Sequence, residues 1–95
     1  MIKDKEYIKE CDCKEIQTLK KWNPYNNWRP TGDELDGEIV KTIKGKKQTY
    51  YFIADNDTEY YAEIKQMYRV VYSKYDNNPL IAKIKLLKQI LKESE

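Results

Sequence analysis

Seven of the nine tyrosines in this 95-residue chain lie between Tyr50 and Tyr75. Tyrosine combines a large apolar ring with a polar hydroxyl, so it serves both in cores and on recognition surfaces. A domain of this length buries only a modest core, and we expect that it cannot enclose all seven rings. The cluster therefore constrains the chain to a fold that joins a small core to a partly exposed aromatic surface.

Composition limits the class of protein further. The chain is 40% hydrophobic and 13% aromatic, which is typical of a folded globule, and its length predicts a single domain over residues 1–95. Its charges nearly cancel, to a net +2, so overall charge favours neither nucleic acid nor membrane. Because no apolar stretch is long enough for a bilayer and no signal peptide is visible, we expect a cytoplasmic protein without a membrane partner.

Helical spacing of apolar residues predicts an N-terminal helix from Ile2 to about Cys11. Asp12 and Glu15 have the spacing of a capping box, which predicts a short helix from Cys13 to about Lys21. One kinked helix and two separate helices are both consistent with this pattern. The next stretch, residues 22–36, is rich in Asn, Pro and Gly and reads as a loop whose aromatic residues fold back on the core: Trp22, Tyr25 and Trp28.

Two β-branched and aromatic runs follow, Glu38–Lys44 and Lys47–Ala54. Gly45-Lys46 between them has the glycine-first order of a type II′ turn, so the pattern predicts a β-hairpin. This turn would place Ile39 opposite Phe52, although a four-residue turn would give another register.

The remaining sequence predicts two helices. After a cap at Asn56 or Asp57, apolar residues recur at helical spacing as far as Tyr75: Tyr60, Ile64, Met67 and Val71. Pro79 then follows Asn78 at a favoured first helical position, and the last helix runs to about Glu93. The sequence thus predicts an α+β fold with an N-terminal helix, an aromatic loop, a β-hairpin and two C-terminal antiparallel helices.

The residues that usually carry catalysis are scarce. With no histidine and only two thiols, Cys11 and Cys13, the chain lacks the ligands of a tetrahedral zinc site. Without histidine, Ser73 and Ser94 have no ordinary base to activate them. We therefore expect a non-enzymatic protein without a metal or cofactor.

The acidic clusters do not indicate a metal or catalytic site either. Asp33, Glu34, Asp36 and Glu38 read as a solvated loop, and Asp55, Asp57 and Glu59 read as helix-capping residues rather than a calcium loop. Glu63-Ile64-Lys65 has the spacing of part of a nuclease motif, but it falls on a predicted helix rather than a strand.

Recognition is the better-supported class of function. Clustered tyrosines that cannot all be buried are typical of protein-binding surfaces, and we predict contact through Tyr50, Tyr51, Tyr60, Tyr61 and Tyr72. Lysines near the predicted hairpin turn would contact an acidic partner or phosphate: Lys41, Lys44, Lys46 and Lys47. One alternative is a homodimer in which exposed tyrosines meet their copies. The other is a nucleic-acid-binding factor that uses the turn lysines together with those of the last helix, Lys83, Lys85, Lys88 and Lys92.

A segment near the N-terminus resembles the N-terminal sequence of a known group of small proteins. Cys11-Asp12-Cys13-Lys14-Glu15-Ile16-Gln17, followed by Trp22 and Trp28, is similar to the start of small proteins encoded by bacteriophages and prophages of AT-rich bacteria. Those openings often have proline where this chain has Lys14. The resemblance implies an accessory protein that works in a host bacterium by binding a host or phage protein, including an inhibitor of a bacterial defence nuclease.

Overall fold

The computed structural model describes residues 5–19, 30–55 and 59–93. The chain forms an α+β fold, which confirms the predicted class, with a three-stranded antiparallel sheet and helices before and after it. In chain order the elements are α1 (Lys5–Cys11), α2 (Lys14–Gln17), α3 (Gly32–Ile43), β1 (Gln48–Asp55), β2 (Glu59–Gln66), β3 (Arg69–Asp76) and α4 (Pro79–Glu93).

Helix α3 occupies sequence that was expected to hold a loop and the first strand of a hairpin. Thr31 and Glu34 form a complete capping box at its start, and Leu35, Ile39 and Ile43 are buried along one face. The predicted strand Glu38–Lys44 is therefore wrong. Spacing of four residues between buried side chains and a strong cap outweigh the local β propensity of the sequence.

The turn after α3 differs from the predicted hairpin turn. Lys44 has extended backbone angles, Gly45 has a φ of +84°, and Lys46 N–H donates to Ile43 C=O over 3.0 Å. These features define a type II turn, which requires a residue such as glycine at its third position. Gly45 thus joins a helix to strand β1 instead of joining two strands.

The sheet has the strand order β1-β2-β3, with antiparallel neighbours. The register of β1 with β2 runs unbroken from Gln48 opposite Gln66 to Asp55 opposite Glu59. The predicted helix between residues 59 and 75 is wrong, because these residues form β2 and β3. In β2, the buried residues Ala62 and Ile64 alternate with more polar neighbours. This is the pattern of a strand that is covered on one face.

Helix α4 confirms the last predicted element, from Pro79 to Glu93. Asn78 Oδ1 accepts hydrogen bonds from the backbone N–H of Leu80 at 2.9 Å and Ile81 at 3.4 Å, which caps the helix. One helix follows the sheet, so the expected antiparallel pair of C-terminal helices is replaced by a strand pair and α4.

The N-terminal helices pack on the same core. Tyr7 is buried, and its hydroxyl donates to Pro30 C=O over 2.5 Å. The predicted Asp12–Glu15 capping box is wrong, because Cys13 is the N-cap residue of α2 and its side chain makes no capping hydrogen bond. Two helices are present rather than one kinked helix, and α1 and α2 both contact α4.

Side chains from every helix and from β2 meet in the core. The fully or almost fully buried hydrophobic residues are Tyr7, Cys11, Ile16, Leu35, Ile39, Ile43, Ala62, Ile64, Ile81, Ala82, Ile84, Leu86, Leu87 and Ile90. The predicted aromatic lid of Trp22, Tyr25 and Trp28 and the predicted cap at Asn56 or Asp57 lie outside the described residues.

Candidate interaction surface

The sheet has two faces that differ in their cover. Residues opposite each other in an antiparallel register share a face, and successive residues alternate between faces. The inner face packs against the hydrophobic core. The outer face is defined here as the residues that point the other way: Tyr51, Ile53, Tyr61, Glu63, Lys65, Val70, Ser73 and Tyr75.

Apolar and aromatic side chains dominate the outer face and remain accessible. Ile53 is 44% exposed and Tyr75 is 65% exposed, and Tyr51 and Val70 are also exposed. The register aligns Ile53, Tyr61 and Tyr75 in one row across the three strands. A contiguous patch of this kind on a small protein is characteristic of an interaction site.

Contacts within the outer face hold its rings in place. Tyr61 and Tyr75 have ring centroids 5.9 Å apart with planes tilted by 35°, a favourable aromatic pair. The Tyr61 hydroxyl donates to Glu59 Oε2 over 2.8 Å. Lys65 Nζ lies 5.0 Å from the centroid of the Tyr51 ring, within the range of a cation–π contact. These contacts fix the positions of the rings on the outer face.

The β2–β3 turn extends this surface at one end. Gln66 pairs with Arg69, so Met67 and Tyr68 form a two-residue turn. Both side chains project into solvent, with Met67 85% exposed and Tyr68 fully exposed. Met67 has a φ of +59°, a backbone conformation that is unfavourable for a residue with a side chain. Strained backbone that presents exposed apolar side chains is a feature of binding sites.

Three of the five tyrosines predicted to bind a partner lie on the inner face instead. Tyr50, Tyr60 and Tyr72 are partly buried and pack against the core. Tyr51 and Tyr61 lie on the outer face, as a binding role requires. The predicted set is thus divided between the two faces, because residues adjacent in sequence point in opposite directions along a strand.

Tyr50 has a structural role on the inner face. Its hydroxyl donates to Asp36 Oδ1 over 2.8 Å, and Lys83 Nζ lies 3.1 Å from the same carboxylate, so β1, α3 and α4 are joined. Lys83 Nζ also lies 4.4 Å from the centroid of the Phe52 ring. Burial, together with the hydrogen bond to Asp36, raises the pKa of Tyr50 above its ordinary value.

The predicted basic residues fall into one exposed group. Lys41 lies on the last turns of α3, and Lys44, Lys46 and Lys47 lie in the turn before β1; all four are exposed. The α4 lysines differ, because Lys83, Lys85 and Lys88 form ion pairs with the carboxylates of Asp36, Asp76 and Glu10 respectively. The helix lysines therefore contribute to packing between elements, whereas the turn lysines face solvent.

Several surface residues of interest escaped the sequence prediction: Ile53, Met67, Tyr68 and Tyr75. A signal for Met67, Tyr68 and Tyr75 is the presence of two runs rich in aromatic and β-branched residues, 60–64 and 70–75, on either side of a short break. Helical spacing of Tyr60 and Ile64 concealed it, because residues four apart also share one face of a strand.

The acidic groups take other positions than expected. Asp33 and Glu34 lie in the first turn of α3, not in a loop, and Glu63 and Lys65 lie on β2 rather than on a helix. Among residues 5–19, 30–55 and 59–93, no three Cys, Asp or Glu side chains converge into a potential metal site. Cys11 is buried and Cys13 is half-buried.

None of the described helices has the length and apolar character to cross a bilayer. No family model, curated protein or solved structure matches this chain.

Proposed function

We propose that this chain is a non-enzymatic accessory protein that binds another protein through the outer face of its sheet and the adjoining Met67-Tyr68 turn. The observation that supports it is the row of Ile53, Tyr61 and Tyr75, in which Ile53 and Tyr75 are exposed although the opposite face of the same strands packs against the core. Aromatic residues with an ordered geometry and an exposed position are the residue type that most often anchors protein interfaces.

The chemistry of this surface indicates what the partner presents. Aromatic rings with Lys65 beside them fit an apolar surface that carries carboxylates. The exposed turn lysines before β1 would steer such a partner during approach. The resemblance of the N-terminal segment to phage proteins directs the search toward bacterial host and phage proteins, with defence nucleases among the first to examine.

Protein binding is a better proposal than nucleic-acid binding. Phosphate recognition needs an excess of uncompensated cations, yet Lys83, Lys85 and Lys88 on α4 are paired with carboxylates, and the outer face carries Glu63 as well as Lys65. Lys44 and Lys47 are exposed and precede β1. Because Gln48 pairs with Gln66, they lie at the same end of the sheet as the Met67-Tyr68 turn, although they are distant from it in sequence. They fit an acidic protein surface equally well.

The experiment is affinity capture from bacterial lysate, followed by titration of the captured protein. The double variant Tyr61→Ala/Tyr75→Ala removes the aromatic pair, and Tyr72→Phe is the matched control because it changes an inner-face tyrosine and keeps its ring. We expect the double variant to weaken binding by about 30-fold or more, as loss of an interface hot spot does. Undiminished capture by a folded double variant would exclude the outer face as the binding surface.

A further inference from the structure

Positive and negative charges are separated between the two ends of the sheet. Segments 39–54 and 64–75 contain lysine or arginine but no aspartate or glutamate. Gln48 at the start of β1 pairs with Gln66 at the end of β2, so the turns that adjoin these two residues lie side by side. Asp76 lies at the opposite end, where β3 stops. The net charge of +2 therefore conceals an end of the sheet that is basic.

The basic end consists of two neighbouring turns, one before β1 and one between β2 and β3. Four cations in or next to these turns are exposed: Lys44, Lys46, Lys47 and Arg69. Met67 and Tyr68 are the two most exposed large hydrophobic residues in the part of the chain that the structure describes. These six residues are called the basic tip below. The tip combines exposed apolar side chains with positive charge at one end of the sheet.

We propose that the basic tip binds the surface of an anionic lipid bilayer and that Met67 and Tyr68 enter its headgroup region. Two contributions add, because lysines and arginines close to the surface are attracted by anionic headgroups and apolar side chains leave water. Such peripheral binding requires no membrane-spanning helix, and it depends on the local charge of the tip rather than on the net charge of the chain. The inference goes beyond the proposed protein binding and does not depend on it.

The side chains of the tip fit a bilayer better than they fit a nucleic acid. Tyrosine is enriched at the boundary between headgroups and acyl chains, because its ring is apolar and its hydroxyl is polar. Methionine has only a weakly accepting thioether, so it offers no group that binds phosphate. Two side chains at the end of a hairpin can contact a flat surface, whereas single-stranded nucleic acid is held by successive rings along a basic groove.

Co-sedimentation with lipid vesicles tests the proposal. In about 0.1 M salt, the chain should bind phosphatidylcholine vesicles that contain about 30% phosphatidylglycerol and should not bind pure phosphatidylcholine. Lys44→Gln/Lys47→Gln should lower the association constant about 25-fold, which is about fivefold for each lysine. The matched control is Lys5→Gln/Lys9→Gln, which removes the same charge from α1. It should lower the constant by less than about threefold, since Lys9 lines a groove with Asp76 at the other end of the sheet.

Fluorescence quenching by brominated lipid tests the orientation on the bilayer. Tyr68→Trp places an indole in the tip, and Tyr75→Trp places one at an exposed outer-face position next to Asp76. After subtraction of the wild-type emission, vesicles brominated in their acyl chains should quench the added fluorescence of Tyr68→Trp and leave that of Tyr75→Trp unchanged. Equal quenching of the two variants, or no quenching of Tyr68→Trp, would contradict insertion of the tip.

Three further results would overturn the proposal. The first is no binding to the anionic vesicles at up to about 5 mM lipid. The second is an equal loss of binding in the α1 control, which would indicate unspecific attraction. The third is binding to single-stranded oligothymidine without binding to vesicles, which would assign the tip to nucleic acid. Tyr61→Ala/Tyr75→Ala should bind vesicles like the wild type, so failure of the bilayer contact and failure of the proposed protein-binding surface can be told apart.

Discussion

The inner and outer faces of the sheet each carry three tyrosines, yet they serve different ends. Tyr50, Tyr60 and Tyr72 are partly covered by the core, whereas Tyr51, Tyr61 and Tyr75 lie on the outer face, where Tyr51 and Tyr75 are exposed. The same residue type is therefore a packing element on one face and an available contact on the other. What decides between these roles is the parity of the position along the strand and the side on which the helices pack.

The hydroxyl groups repeat this difference. Tyr50 donates to Asp36 on a separate helix, where Lys83 from a third element joins the same carboxylate. Tyr61 donates to Glu59, two residues away in its own strand. The hydrogen bond of Tyr50 thus links elements distant in sequence, whereas the bond from Tyr61 to Glu59 is local. Mutations on the two faces should separate these contributions.

The largest difference should come from paired truncations of isoleucine. Ile64 on the inner face is fully buried, while Ile53 on the outer face is 44% exposed. We expect Ile64→Ala to lower the free energy of unfolding by about 2–5 kcal/mol, because it leaves a cavity, and Ile53→Ala by under about 1 kcal/mol. Urea denaturation of both variants gives the comparison. Equal losses would mean that the outer face is also covered.

The next largest effect should follow removal of the inner hydroxyl. Tyr50→Phe keeps the ring and removes the hydrogen bond to Asp36, at an expected cost of about 1–2 kcal/mol near pH 7. Tyr61→Phe is the matched outer-face control, and its cost should be below about 0.5 kcal/mol because its bond to Glu59 is exposed. Thermal and urea unfolding at one salt concentration would measure both.

Alkaline pH sharpens the same comparison. The pKa of Tyr50 is raised in the folded protein, so above the ordinary tyrosine pKa of about 10 the unfolded chain loses this proton first. The unfolded state then binds fewer protons than the folded state, and stability falls as pH rises, by up to about 1.4 kcal/mol per pH unit. Tyr50→Phe has no titrating hydroxyl at this position, so the difference in the free energy of unfolding between this variant and the wild type should shrink above pH 10. A constant deficit would contradict the raised pKa.

The sequence predicted elements well where two signals agreed. In α4, the proline after Asn78 and the apolar spacing point to one helix, and the cap geometry is present. In α3 the signals conflicted, since β-branched residues near Ile39 suggested a strand while Thr31, Glu34 and the spacing of buried residues specified a helix. The β propensity of individual residues near Ile39 is a weaker signal than the capping box formed by Thr31 and Glu34.

The proposed binding surface is harder to predict from sequence than the fold class. An excess of tyrosine correctly indicated that some rings would be exposed, but which ones depends on the strand assignment. With residues 59–75 taken as a helix, Tyr60 and Tyr61 lay close together on one surface, whereas in β2 they point to opposite faces. Only the pairing of three strands and the side chosen by α4 separate them, and both depend on contacts distant in sequence.

The smallest expected effect concerns the turn that extends the outer face. Met67 adopts a φ of +59° at the first position of a two-residue turn, where glycine is preferred. Met67→Gly should relieve this strain, and because the side chain is largely exposed little packing is lost, so we expect a gain of about 0.5–1 kcal/mol in the free energy of unfolding. Tyr68→Gly is the control, since that residue is exposed in the same turn without a positive φ and should be destabilised by glycine instead.

A left-handed backbone at an exposed residue with a side chain, as at Met67, supports a hypothesis that the side chain has a role other than folding. The proposed binding surface supplies that role, because Met67 and Tyr68 continue the apolar character of the outer face beyond the end of the strands. Met67→Gly should therefore stabilise the isolated chain and weaken partner capture together, measured by urea unfolding and by the capture assay. If stability rises while capture is unchanged, Met67 lies outside the contact and the surface ends at the strands.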